Sequence, residues 1–115
     1  MIGRIWHGWA SPENADAYEQ LLRNEVLPGI DRVQGFRGAQ LFRRNAADEV
    51  EFVTITFFDS LEAVRAFAGD DYEVAVVPPE AHKLLAHYDA RSAHYDVRFE
   101  LRDADSTSFG GATSA

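Results

Sequence analysis

An α+β domain, with one antiparallel sheet and helices on one face, is predicted by three observations. Stretches of strand character recur at Ile2 to Trp9, Phe36 to Arg44, Glu49 to Phe58 and Ser92 to Phe99. Capped segments of helical spacing separate the first stretch from the second and the third from the last. Only Asn45-Ala46-Ala47-Asp48 separates the second from the third, which makes that pair an antiparallel hairpin.

The first stretch is rich in large β-formers. Alternation puts Ile5, His7 and Trp9 on one face and Ile2, Arg4 and Trp6 on the other. A tryptophan on each face implies that both faces are covered. Ser11-Pro12-Glu13 then opens a helix: serine caps the free amides, proline tolerates the first helical position, and glutamate meets the positive end of the dipole. Ala15, Tyr18, Leu21, Leu22 and Val26 form its apolar stripe, and Pro28-Gly29 ends or bends it near Leu27. Ile30 and Val33 extend a short turn that Gly35 breaks.

After the hairpin, Asp59-Ser60-Leu61-Glu62 caps a second helix with Leu61, Val64, Phe67 and Ala68 on its apolar side. Gly69-Asp70-Asp71 ends it. Tyr72 to Val77 reads equally as short helix or extended chain. Pro78-Pro79 breaks it, and Glu80 to His87 reads as a third helix. The order is a split βαβ repeated, the ferredoxin-like pattern. Residues 1–103 form this domain. Residues 104–115, rich in Ser, Thr, Gly and Ala, are predicted to be a flexible tail with Phe109 as its one possible anchor.

Composition excludes several classes of function. Without cysteine there is no disulfide, thiolate nucleophile or cysteine-ligated zinc. A formal net charge of −8 with no basic run disfavours nucleic acid and anionic membranes. No apolar stretch suits a spanning helix and no signal-peptide layout opens the chain, so a cytoplasmic protein is expected. No phosphate-binding glycine loop is present, so no nucleotide or flavin cofactor is expected. Helices on one face leave the other face with large apolar groups, and a homodimer pairing sheet to sheet would cover it.

The segments Ile5-Trp6-His7-Gly8-Trp9, Pro28-Gly29-Ile30, Gly35-Phe36-Arg37-Gly38, Phe57-Phe58-Asp59-Ser60-Leu61-Glu62-Ala63 and Arg91-Ser92-Ala93-His94-Tyr95 carry a family resemblance. Over about Ile2 to Phe99 the chain resembles the antibiotic-biosynthesis-monooxygenase superfamily of dimeric α/β barrels. The resemblance implies a ferredoxin-like homodimer with pockets between sheet and helices. Some members oxidise polycyclic phenols to quinones with O₂ and without metal or flavin; some degrade heme. Phe67 falls near the helical tryptophan of the heme-degrading branch and Val76-Val77 near its histidine, so heme binding through that site is not expected.

His7 and His82 are the candidate general bases, able to take a phenolic proton near neutral pH. A histidine packed at a dimer interface is the competing reading of His7, and a solvent-facing helical histidine that of His82. Trp9, Tyr72 and Phe67 are candidate walls for a planar ligand, and Arg65 a candidate partner for an anionic one. His82, His87 and His94 are poorly spaced for convergence, so no metal site is expected. Two functions follow: a cofactor-independent monooxygenase acting on a small phenol- or hydroquinone-like aromatic, or a non-catalytic dimeric binding or stress-type module.

Overall fold

The computed structural model describes residues 1–103; the expected tail lies outside the described residues. The elements are β1 (Ile2–Ala10), α1 (Pro12–Leu21), a π-helical turn (Leu22–Val26), α2 (Leu27–Ile30), β2 (Phe36–Asn45), β3 (Val50–Phe58), α3 (Leu61–Ala68), α4 (Pro79–Leu84), β4 (Leu85–Tyr88) and β5 (Ala93–Asp96). The sheet runs β2-β3-β1-β4, with β5 also pairing β1. All pairings are antiparallel, which is the ferredoxin-like arrangement expected from the sequence. Among the described residues, no helix is long and apolar enough to cross a membrane.

β1 is the central strand. One edge pairs with β3 from Ile2↔Phe58 to Ala10↔Val50. The other edge is shared: β5 takes Ile2 to Ile5, and β4 takes Gly8 to Ala10. This sharing corrects two element boundaries. The helix expected to reach His87 stops at Leu84, because the free amides and carbonyls at the end of β1 recruit Leu85, His87 and Tyr88 as backbone partners. The last strand covers only Ala93–Asp96, and Phe99 is exposed. Tyr72 to Val77 forms neither helix nor strand, with one bridge between Val74 and Arg91.

The long first helix passes its proline by widening. Ser11 caps α1 by accepting from the Asn14 amide, with Pro12 at the first helical position. Proline at position 28 cannot donate to the carbonyl four residues back. The turn before it opens to a π-helix, with the Leu27 amide reaching the Leu22 carbonyl, and the helix then continues to Ile30. α3 is capped by Ser60, which accepts from the Ala63 amide. Its neighbour Asp59 instead clamps Arg37 through two bonds of 2.5 and 2.6 Å.

Two apolar clusters hold the helices to one face of the sheet. Ala10, Tyr18, Leu22, Val50, Phe52 and Ala81 form one at one end of β1. Ile2, Ile30, Phe58, Ala63 and Val64 form the other at the opposite end. Tyr18 meets Phe52 edge-on at 4.8 Å, a contact worth about 1 kcal/mol beyond area burial. Phe58 lies against Phe36 and Phe67 at 5.7 Å.

Gly35 sits with φ at 93°, and a Cβ there would lie 2.7 Å from the Ala63 Cβ. Gly35→Ala therefore combines left-handed strain with overlap and is expected to lower stability by about 2–4 kcal/mol. Gly29 lies inside α2 with open space where a Cβ would stand, so Gly29→Ala is expected to raise stability by about 0.5–1 kcal/mol. Urea midpoints for the two variants check this, and equal midpoints would refute it.

Candidate active site

Between the two apolar clusters lies a cleft of about 540 Å³, counting its part open to solvent. Its floor comes from the sheet and its reason is visible along the strands. The inward face of β3 runs Val50, Phe52, Thr54, Thr56, Phe58, apolar at both ends and polar in the middle. The inward face of β1 runs Ile2, Arg4, Trp6, Gly8, Ala10. Arg4, Trp6, Thr54 and Thr56 thus form a floor where the two cores do not meet. The roof is Tyr18, Leu22, Val26, Leu27 and Ile30, so the widened turn before Pro28 contributes directly. Phe67, Ala81, Ser92 and the stretch Val76-Val77-Pro78 close the sides.

Arg4 is the charged group of this cleft and is only 4% exposed. Its Nη1 donates to the Tyr72 carbonyl at 2.5 Å and its Nη2 to the Val74 carbonyl at 3.2 Å. Nη1 also lies 3.1 Å from Nε2 of His94, and the guanidinium carbon lies 5.5 Å from the centre of the Phe67 ring. A guanidinium only donates, so Nε2 of His94 accepts and the imidazole proton sits on Nδ1. That Nδ1 is buried without a partner among the described residues. Burial, and then the charge of Arg4, push the His94 pKa below its ordinary value, against an opposing pull from Glu73. Burial likewise pushes the Tyr18 phenol well above its ordinary range, so it stays protonated.

A family model described as antibiotic biosynthesis monooxygenase matches residues 1–90. The chain belongs to this family. Solved structures agree on the fold. SnoaB, a cofactor-independent oxygenase from Streptomyces nogalater, is 18% identical at a TM-score of 0.57, over 89% of this chain and 98% of its own. The monooxygenase ActVA-Orf6 of Streptomyces coelicolor, solved with nanaomycin D, is 15% identical at a TM-score of 0.56, over 90% and 92%. MhuD, a heme-degrader from Mycobacterium tuberculosis solved with two hemes in its active site, is 18% identical at 0.57, over 88% and 99%. No curated protein matches by sequence.

In this family member the expected site residues fall in four places. Phe67 lines the cleft. Tyr72 and Arg65 stand behind it: the Tyr72 ring meets His94 edge-on at 5.0 Å, and Arg65 lies 5.4 Å over that ring from outside. His82 is exposed on α4, next to the cleft residue Ala81, with its ring 5.7 Å from Tyr88, which in turn packs 5.6 Å from Trp6. His7 and Trp9 lie on the opposite sheet face, because neighbours along a strand alternate and Trp6 points to the helices. There His7 bonds Glu51 at 2.9 Å, and Trp9 stacks on His87 at 4.6 Å. Of the two tryptophans it is Trp6 that lines the cleft.

Among the described residues, no three His, Asp or Glu side chains converge as metal ligands. Heme iron takes His, Cys, Met or Tyr as its protein ligand. Tyr18 is the one residue of those types lining the cleft, and it is buried with its ring edge-on to Phe52, so the lining residues do not fit a protein-ligated heme.

A histidine with a depressed pKa binds protons less readily folded than unfolded. Its stabilising effect is present above the ordinary value of 6.5 and is lost as pH falls below it. The wild-type melting temperature is expected to drop from pH 7.5 to pH 5.5 (conditions set about that value), and His94→Gln to flatten this slope. Unchanged slopes in thermal scans would refute the assignment.

Proposed function

We propose that this chain is a cofactor-independent monooxygenase acting on a small, flat hydroxyaromatic substrate, and that it works as a homodimer. The observation that carries the reading is the cleft: aromatic and aliphatic surfaces at Trp6, Phe67, Leu22 and Val26, with a few polar groups in Arg4, Thr54 and Thr56 on the floor and Ser92 at the side. Apolar walls with a few placed polar groups suit a planar ring carrying oxygen substituents. Family membership supports the reaction type.

The chemistry needs little from the protein. A phenol with a free para C–H loses its hydroxyl proton, and the anion gives one electron to O₂. Recombination forms a carbon-bound hydroperoxide, and loss of water leaves the quinone. One oxygen atom enters the product and the other leaves as water, with all electrons drawn from the substrate. The protein must promote the anion, hold the ring and keep water out. His82 at the rim is the proposed proton acceptor, with Phe67 against the ring. Tyr72 and Arg65 act from behind, by fixing Arg4 and His94.

Oxygen consumption with naphthols and naphthohydroquinones in the presence of a chelator tests this. Protein-dependent uptake is expected, with His82→Ala lowering kcat/KM about 100-fold and His7→Ala changing it less than about threefold. Uptake no faster than without protein, while the same compounds bind, would favour the non-catalytic binding module instead.

The other sheet face supports the dimer. Ile5, Val53, Ile55 and Phe57 are only half-buried there, and Phe42 and Tyr95 are 49% and 59% exposed. An apolar face of that kind calls for a partner. His7 and Trp9 belong to the same face, so their proposed place is at or beside the subunit contact. Sedimentation is expected to show a dimer at micromolar concentration and a folded monomer for Ile55→Asp; a monomeric wild type would refute the pairing.

A further inference from the structure

The floor of the cleft has a feature that an apolar aromatic site does not require. Arg4 is buried, yet its partners are all neutral: two backbone carbonyls and the accepting nitrogen of His94. Elsewhere in this acidic chain Arg23, Arg37, Arg43, Arg44 and Arg91 each face a carboxylate. Glu73, the acid that acts on His94, is bonded to Arg91 at 3.3 Å. The contacts of Arg4 employ Nη1 and Nη2, which leaves Nε–H without a partner among the described residues.

A second observation is independent of that charge. Ser92 lines the same cleft, is 5% exposed, and its hydroxyl has no hydrogen-bond partner among the described residues. Its backbone is fixed, because its amide donates to the Glu73 carbonyl at 2.6 Å. A buried hydroxyl left unpaired destabilises the fold that holds it. Clamping the Tyr72 to Val74 stretch accounts for the carbonyl bonds of Arg4. It does not account for an orphan hydroxyl in the same cleft.

We propose that Arg4 and Ser92 form an oxyanion subsite that takes a phenolate or carboxylate oxygen on the aromatic ligand, and so select acidic aromatics over neutral ones. The proposal rests on reading the cleft as an aromatic-ligand site and names the ligand's charge. An anion there meets a desolvated cation, where charge-assisted hydrogen bonds are stronger than neutral ones. Ser92 contributes a hydroxyl free to rotate its proton toward the oxygen. The same subsite favours the ionised form of a phenol, the form that reacts with O₂.

Calorimetric titration with 2-naphthoate and 2-naphthamide near neutral pH tests this, since the two share one ring and differ in charge. Wild type is expected to prefer the naphthoate by about tenfold or more. Ser92→Ala is expected to weaken naphthoate binding about three- to tenfold, leave naphthamide unchanged and not lower the melting temperature. Arg4→Lys should keep part of the preference and Arg4→Gln abolish it. Equal binding of both probes to wild type overturns the subsite and leaves the aromatic cleft standing. Binding of neither overturns both. If Arg4→Gln fails to fold, the wild-type pair and Ser92→Ala decide the matter without it.

Discussion

The unbroken pairing of β1 with β3 is the constraint on which the rest of this molecule depends. It runs from Ile2↔Phe58 to Ala10↔Val50 without a slip. Side chains alternate along a strand, so a shift of one residue would exchange every inward group for an outward one. Ile2 and Ala10, with Phe58, Phe52 and Val50, must face the helices to build the two clusters. That requirement also commits Arg4 and Trp6 to the helix side and His7 and Trp9 to the open side. The two cores at the ends of the strands thus decide what stands between them.

The middle of that face is where packing gives way to polarity. Burying a guanidinium forfeits hydration worth several kcal/mol. Two backbone carbonyls, each worth about 1.5–3 kcal/mol as an acceptor from a charged donor, offset much of it. The face of Phe67 adds about 0.5–2 kcal/mol. The consequence is mechanical as well as electrostatic. Arg4 ties the Tyr72 to Val74 stretch to the sheet, and Val74 is bridged to Arg91. The stretch Val76-Val77-Pro78, which walls the cleft, is therefore anchored although it has no regular structure of its own.

The widened helical turn shows how a local conflict shapes the same cleft. Pro28 would break an α-helix, yet the apolar stripe continues past it to Ile30. Inserting a π-turn at Leu22–Val26 satisfies both demands. It also sets Leu22, Val26 and Leu27 along the roof of the cleft. π-bulges in helices recur at functional sites.

Much of this architecture is determined by the sequence alone. Serine caps, proline and glycine breaks and period-two alternation act over a few residues, so they locate β1, α1, the hairpin and α3 and lead to the ferredoxin-like order. The family resemblance was legible for the same reason, since it resides in those turns and caps. Even the floor of the cleft left a trace: a charge at Arg4 between Ile2 and Trp6, and Thr54 and Thr56 between Phe52 and Phe58. What the tertiary structure alone decided is less local. Leu85–Tyr88 has the composition of a helix end and became a strand because β1 offered an unpaired edge. Which tryptophan faces the cleft was settled by where the helices pack, a choice that alternation leaves symmetric. The meeting of Arg4 with His94 and of Ser92 with the cleft joins residues about ninety positions apart. No local pattern encodes such contacts, because they exist only once β5 has docked against β1.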